Sequence, residues 1–361
     1  MKKIFAEWEK QDGILLSFPH KNSDWNPYLK EVQQVYCEII VEILQVEACI
    51  LICDSKQNTL KIIKDYCDFK NINTDILKQL YCIEIPSNDT WARDFGGITI
   101  CNNGKNVVLD YGFNGWGLKF ASNFDNQITH KLHQLGIFKK VKTKKLILEG
   151  GSIESNGNGI LLTNTQCLLE RNRNPFYSKK QLEKILQKDL GIQKVLWLDS
   201  GYLSGDDTDS HIDTLARFIA PNTIAYITCD DKNDEHYQAL QAMQKELKAL
   251  RNLKNKPFKL IKLPFTAPKY YDNERLPATY ANFLFINGAI LLPIYRDSND
   301  SLAIEILQKA CPKHKIIPID CSVLIRQHGS LHCISMQFPK NTLNFQTLKN
   351  FSTKNATKRN P

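Results

Sequence analysis

Four segments of the chain concentrate residues that could do chemistry. Asn88-Asp89-Thr90-Trp91-Ala92-Arg93-Asp94-Phe95-Gly96-Gly97 sets two carboxylates and an arginine around a tryptophan. Such a set suits a planar cation, whose N–H groups reach carboxylate oxygens in pairs while an indole covers its face. Read alone, the segment is more simply a structural ion pair between Arg93 and Asp89 or Asp94 that caps the turn. Gly205-Asp206-Asp207-Thr208-Asp209-Ser210-His211-Ile212-Asp213 carries four acids and a histidine ahead of an apolar strand. Alternation along a strand predicts His211 and Asp213 on one face. The glycine and distal glutamate of a helix-loop-helix calcium loop are missing, and His211 has no histidine or cysteine at metal-ligand spacing, so no metal is expected. Leu148-Glu149-Gly150-Gly151-Ser152-Ile153 puts an acid at a strand end, with two glycines that permit close backbone approach. Finally, Gln327-His328-Gly329-Ser330-Leu331-His332-Cys333 places a thiol at the start of a strand. A thiolate, a histidine to move protons and carboxylates to hold a cation are what cysteine chemistry on a guanidinium requires.

These groups need a scaffold that brings distant segments together. Helical periodicity marks Tyr28 to Val46, Ser178 to Leu190, Asp234 to Leu250 and Asn299 to Ala310. Between them, pairs of short apolar strands are joined by Gly or Asn turns, as at Asn102-Asn103-Gly104, Asn156-Gly157-Asn158-Gly159, Pro221-Asn222 and Asn287-Gly288. A fifth pair joins His332 to Gln337 with Gly13 to Phe18. This repetition predicts an α/β chain of five ββαβ-type units closed into a ring. Spacing alone is equally compatible with one α/β sheet carrying several hairpins. The chemistry-bearing residues tip the choice, because they recur at corresponding places in the units and a ring points them at one cavity. The expected organisation is a single catalytic domain over 1–339 followed by a basic, disordered tail over 340–361.

Composition narrows the partners. Hydrophobic residues make up 42% of the 361 and charged residues 24%, as in soluble globular chains. The net charge of +9 comes from Lys139, Lys140, Lys142, Lys144 and Lys145 in one loop and from the tail, so the rest is close to neutral. No phosphate-tracking surface is expected, and hence no nucleic acid. No apolar run suits a signal peptide or a membrane span. The eleven cysteines include no C-x-x-C pair and sit in apolar runs, which predicts reduced thiols and a cytoplasmic setting.

Together, Trp91-Ala92-Arg93-Asp94, Phe113-Asn114-Gly115-Trp116-Gly117, Glu149-Gly150-Gly151-Ser152-Ile153, Gly205 to Asp213 and His332-Cys333 resemble the agmatine deiminase family of the guanidine-modifying (pentein) superfamily. The chain is also similar to bacterial peptidylarginine deiminases. The resemblance implies a five-fold pseudosymmetric α/β propeller and hydrolysis of agmatine to N-carbamoylputrescine and ammonia, feeding polyamine synthesis without metal or organic cofactor. It also implies a homo-oligomer, dimer or tetramer. Carried over by position, Cys333 is the nucleophile, His211 the general acid and base, and Asp94 and Asp213 the guanidinium clamps, with Glu149 on the histidine side. Trp91, Trp116 and Asp207 join the two clamps as substrate-binding candidates. The run Gln327 to Leu331 departs from the glycine-rich run that members often carry there. Other guanidine-modifying reactions, namely arginine or peptidylarginine deimination and amidino transfer, remain open, as does a non-catalytic cation-binding protein. An acidic rim of Asp206, Asp207 and Asp209 is expected to repel the α-carboxylate of free arginine.

Overall fold

The computed structural model describes residues 2–352 and is a mixed α/β fold. Five sheets share one pairing pattern, an antiparallel pair whose second strand pairs in parallel with a third. One antiparallel pair joins the distant strands Ser335–Pro339 and Gln11–Ser17, and the other four are hairpins joined by a turn, Ile98–Asn102 with Lys105–Gly112, Ile153–Ser155 with Ile160–Asn164, Ala216–Ala220 with Thr223–Ile227, and Leu284–Ile286 with Ala289–Ile294. Their parallel partners are Ala48–Cys53, Val141–Ile147, Lys194–Leu198, Lys259–Leu263 and Lys315–Asp320. A parallel neighbour requires a crossover, and a helix supplies each one: Leu29–Leu44, Ile128–Gln134, Lys179–Leu190, Tyr237–Ala249 and Asp300–Ala310. Lys2–Ile4 and Leu80–Glu84 widen two of the sheets to four strands, and an extra hairpin, Lys269–Tyr271 with Glu274–Leu276, lies outside the pattern.

Local sequence accounts for these elements. In Leu29–Leu44 the residues Val32, Tyr36, Ile39, Ile40 and Ile43 form one buried stripe. Ala48–Cys53 is buried at every position, as a strand flanked on both edges and covered on both faces must be. The Asn103-Gly104 turn has φ of 50° and 77°, the doubly left-handed geometry that matches hairpin twist. Ser178 and Gln181 close a reciprocal cap on Lys179–Leu190, which ends at the left-handed Gly191.

Three expectations are corrected. The basic run is not a loop: Lys142, Lys144 and Lys145 lie on Val141–Ile147, an edge strand on which lysines discourage further pairing, and Lys144 pairs with Asp189. Residues 340–352 pack on the body. Thr342 and Leu343 donate backbone N–H bonds to Asp12, Leu343 bridges Phe138, and the turn Phe345–Leu348 seats a fully buried Leu348. The sequence hides this because Leu343 and Leu348 are isolated anchors with no helical or strand period. Residues 353–361 lie outside the described residues. Lastly, His211 and Asp213 are not on a strand: Ile212–Thr214 is a single 3-10 turn ahead of Ala216–Ala220. Among the described residues no helix is long and apolar enough to cross a membrane.

Candidate functional site

Each candidate side chain sits where the chain turns before an antiparallel pair. Asp94 lies on the one-turn helix Ala92–Phe95, Glu149 immediately precedes the turn Gly150–Ser152, and Cys333 precedes the strand Ser335–Pro339. Arg93 N donates to Cys333 O at 3.1 Å, which ties the first and last of these segments together. Gly151 is the hub. Its N–H donates to Asp94 Oδ1 at 3.0 Å. A Cβ there would lie 2.6 Å from His211 Nδ1, 2.9 Å from Asp94 Oδ1 and 3.1 Å from Asp213 Oδ2, so three functional groups converge on space that only glycine leaves open.

The structure therefore brings Asp94, Glu149, His211, Asp213 and Cys333 into one buried cluster. Asp94 accepts from Trp116 Nε1 at 2.9 Å as well as from Gly151, and its Oδ1 lies 3.6 Å from His211 Nδ1. Burial pushes this carboxyl up to about 6, opposed by His211 and reinforced by Asp213 and Glu149. On the other side of the imidazole, His211 Nε2 lies 3.3 Å from Glu149 Oε2. Burial works against a charged His211, but the carboxylate of Asp94, with further help from Cys167 and Glu149, holds its pKa well above the usual histidine range. Glu149 is itself gripped by Arg173, whose Nε donates to both carboxylate oxygens at 2.9 and 2.8 Å. Burial raises its pKa, yet His211 and Arg173 together bring it below the ordinary value. Asp213 accepts from His332 Nδ1 at 2.6 Å through Oδ2, while its buried Oδ1 has no partner.

Asn282 presents its Oδ1 to three groups of the last segment: His332 N at 2.9 Å, Cys333 N at 3.3 Å and Cys333 Sγ at 3.4 Å. Burial and the nearby charges of Asp213 and Asp94 push the Cys333 thiol well above its usual range. The resting thiol is thus protonated, and anything that lowers the negative charge around it favours the thiolate.

Cys333, His211 and Asp94 open on a cavity of about 800 Å³. Trp91 and Trp116 form part of its wall. Trp116 is held in a left-handed conformation, φ 54°, between Gly115 and Gly117, and this turns its N–H toward Asp94. Trp91 packs on Trp25 with ring centroids 5.5 Å apart, and Gly329 is a glycine because a Cβ would fall 2.1 Å from the Trp91 ring. The departing loop is pinned at its start, by Gln327 donating to Asp24 O at 3.1 Å and by His328 Nδ1 at 2.8 Å from Gly205 O.

The acidic rim differs from the expected one. Asp206 accepts from Thr208 and Ser210 to shape its own loop, and Asp209 is bound by Arg173 at 2.6 Å and Lys119 at 2.8 Å. Asp206 and Asp207 both line the cavity, with the pKa of Asp207 raised by burial, whereas Asp209 is not among the lining residues. Asp89, from the first of the four segments, also lines the cavity, and further acids come from segments that sequence reading did not connect to the site, Asp24, Asp54, Glu84 and Asp125. Of the described residues that line the cavity, none is lysine or arginine. Arg93 does not pair with Asp89 or Asp94: it donates to Gln337 Oε1 at 2.6 Å and lies 3.9 Å from Glu7, whereas Asp89 accepts from Trp25 and Thr90.

Sequence reading missed Arg173, Asn282, Cys167 and Glu7. Asn282 left a trace as a polar interruption in the apolar run Tyr280 to Tyr295, while Arg173, inside Arg171-Asn172-Arg173-Asn174, left none. Among the described residues two sets of side chains are close enough to hold a metal ion, Glu149 with Cys167 and His211, and Glu7 with Glu154 and His332. Each already has a guanidinium bonded to its carboxylates, Arg173 in the first and Arg217 in the second, so a second cation there meets like charge.

The model of a family described as Porphyromonas-type peptidyl-arginine deiminase matches residues 3–339. A protein from Marinomonas sp. named "Putative agmatine deiminase" is 32% identical over 359 residues, covering 93% of this chain and 94% of its own. The crystal structure of a C. jejuni agmatine deiminase, a cysteine-to-serine variant with substrate bound, is 43% identical with a TM-score of 0.87, over 95% of this chain and 98% of that one. A second structure, the crystal structure of a protein named a putative peptidyl-arginine deiminase, is 47% identical with a TM-score of 0.88, over 94% of this chain and 99% of that one.

Proposed function

Since the chain belongs to the Porphyromonas-type peptidyl-arginine deiminase family, we propose that it hydrolyses agmatine to N-carbamoylputrescine and ammonia, using Cys333 as nucleophile and no metal or organic cofactor. The similarity to agmatine deiminases over nearly the whole chain supports the reaction class. The observation that carries the substrate is the cavity lining, which has several carboxylates and, among the described residues, no lysine or arginine. Agmatine ends in an ammonium, which suits such a wall. Free arginine adds an α-carboxylate with no cation to meet it.

In this reading the guanidinium enters between Asp94 and Asp213, supplying the positive charge that these carboxylates lack. Its arrival offsets the negative field that, with burial, keeps Cys333 protonated, so the thiol releases its proton to water in the cavity and the thiolate attacks the guanidinium carbon. Localising the cation's charge on the clamped nitrogens makes that carbon a better electrophile. The C–S bond forms, His211 gives its proton to the departing nitrogen, and ammonia leaves an S-linked amidino group on Cys333. Water then attacks the same carbon, His211 takes its proton, and the C–S bond breaks to release the carbamoyl product. Glu149, fixed by Arg173, holds the imidazole through both roles. Trp91, Trp116 and Asp207 bound the site that receives the amine tail.

The five sheets with one pairing pattern support a five-fold pseudosymmetric propeller that points their turns at this cavity. All eleven cysteines are free, which supports a reducing, cytoplasmic setting and a product feeding polyamine synthesis there. Deimination of a peptide-borne arginine is the second reading, favoured by a cavity of about 800 Å³, roomy for one small amine. Ammonia release measured side by side on agmatine, free arginine and a peptide arginine decides among them. The highest kcat/KM is expected for agmatine, and equal efficiency on free arginine refutes the lining argument. Cys333→Ala should bind agmatine without releasing ammonia, while His211→Asn should accumulate a covalent adduct visible by mass spectrometry. Normal turnover in either variant removes that residue from the mechanism.

A further inference from the structure

Behind Asp213 runs a buried string of alternating charge that the proposed mechanism does not use. His332 is 1% exposed, and both of its ring nitrogens are engaged, Nδ1 at 2.6 Å from Asp213 Oδ2 and Nε2 at 2.7 Å from Glu7 Oε2. Ionised carboxylate oxygens only accept hydrogen bonds, so with both carboxylates ionised each ring nitrogen donates one. The string continues: Glu7 Oε2 also accepts from Arg217 Nη2 at 2.7 Å, Glu7 Oε1 accepts from Phe285 N at 2.8 Å, and Arg217 Nε donates to Glu154. Burial opposes the ionised forms of Glu7 and Asp213, but Arg217 and His332 hold Glu7, and His332 holds Asp213, below the ordinary carboxyl range.

The geometry of Asp213 shows what the string achieves. One carboxylate oxygen is tied to His332, and the other, buried, has no partner. A buried charged oxygen without a donor is costly unless something else comes to meet it. The backbone of His332 is anchored as well, its main-chain N–H donating to Asn282 Oδ1 at 2.9 Å, the same atom that bonds Cys333. We infer that Glu7 and His332 are positioning residues: the imidazolium, locked by Glu7, fixes Asp213 through Oδ2 so that Oδ1 stays ionised and open to the substrate guanidinium. This rests on the deiminase reading only for the identity of the substrate.

Glu7→Gln in the full chain is the first test, since the amide keeps an acceptor for Phe285 N but removes the charge facing His332. One charge-assisted hydrogen bond to the guanidinium corresponds to about a ten- to hundredfold rise in KM for agmatine, with kcat falling by a smaller factor. Glu7→Asp, which restores the charge on a shorter arm, should recover part of the loss. A purely structural role lowers the amount of active enzyme at unchanged KM, and that result overturns the inference. The second test needs no turnover: nitrogen NMR of histidine-labelled wild-type protein should show both His332 ring nitrogens protonated, and in Glu7→Gln a neutral ring. A neutral His332 in the wild type overturns the inference whatever the substrate proves to be. It also decides the matter if Glu7→Gln fails to fold.

Discussion

Replacing Arg173 by methionine tests whether the histidine side of the site is held from behind. The Arg173 and Glu149 side chains are both 0% exposed. The guanidinium meets both Glu149 oxygens, Asp209 Oδ2 at 2.6 Å and Thr208 O at 2.9 Å. Methionine fills most of the volume but leaves Glu149 with His211 Nε2, 3.3 Å away, as its charged neighbour. Removing one partner of a buried pair costs about 3–5 kcal/mol. At roughly 2.1 cal/mol/K per residue, a chain of 361 residues loses a little over 1 °C for each kcal/mol. The melting midpoint should therefore fall by about 4–7 °C. The rate should fall as well, because Glu149 orients His211 and helps keep it charged. Loss of one charge-assisted hydrogen bond of about 1.5–3 kcal/mol corresponds to a drop of about ten- to hundredfold in kcat. Arg173→Lys keeps the charge without the fork and should fall between the two. Scanning calorimetry and ammonia release on agmatine measure both effects. A methionine variant with the native midpoint and native kcat refutes the claim that Glu149 depends on Arg173.

Asp94 must be ionised to clamp a cation, and burial raises its pKa to about 6, so kcat/KM for agmatine should rise with pH through a midpoint near that value. Trp116→Phe removes a donor to the ionised form, raises that pKa and moves the acid limb upward; a limb that stays put refutes the assignment. The sign for stability is opposite to that of a salt-bridged acid. The contribution of Asp94 is complete below 3.8 and is lost as pH rises through about 6. A protonated Cys333 should react slowly with iodoacetamide at neutral pH and much faster with a cationic haloacetamidine, which offsets Asp94 and Asp213 as substrate does; equal rates count against substrate-assisted ionisation. Truncation after Pro339 uncovers the surface under Leu343 and Leu348, each worth about 1.5–3 kcal/mol when fully buried, and should lower the melting midpoint by several degrees. An unchanged midpoint shows that these anchors add nothing to stability.

The helices and hairpins were legible because each is specified locally. The stripe Val32, Tyr36, Ile39, Ile40, Ile43 has the helical period, and Asn103-Gly104 has the chemistry of a tight hairpin turn. Asp94, Glu149, His211, Asp213 and Cys333 were legible as motifs, though their convergence is a tertiary fact that hangs on Gly151. The partners of these residues were not legible. Glu7 meets His332 across 325 positions and Asn282 meets Cys333 across 51, and no period or spacing in one dimension encodes such a pairing. The alternation argument for His211 and Asp213 failed for a related reason. It assumed a strand where the chain makes a 3-10 turn, and the two side chains meet through Gly151 instead of through a shared strand face.

Three carboxylates of the buried cluster, Glu149, Asp213 and Asp94, differ in how their charge is met. Glu149 has a guanidinium on both oxygens and His211 beside it, so its charge is fully answered. Asp213 has the His332 ring on one oxygen and nothing on the other. Asp94 has hydrogen-bond donors that are neutral, an indole N–H and a backbone N–H, and the one cationic group near it is His211 at 3.6 Å. The deficit of positive charge therefore lies between Asp94 and the buried, unpartnered oxygen of Asp213, near the thiol that burial and these two charges keep protonated. A flat cation with N–H groups on two edges fits that deficit better than an ammonium, which is a compact point charge. If so, the guanidinium binds tightly only while both carboxylates are ionised, and its binding is also what readies the nucleophile. An uncharged isostere of agmatine, with a urea in place of the guanidine, should then neither bind appreciably nor quicken alkylation of Cys333. Tight binding of the urea would show that the site recognises shape and hydrogen bonding, and that the charge deficit is incidental.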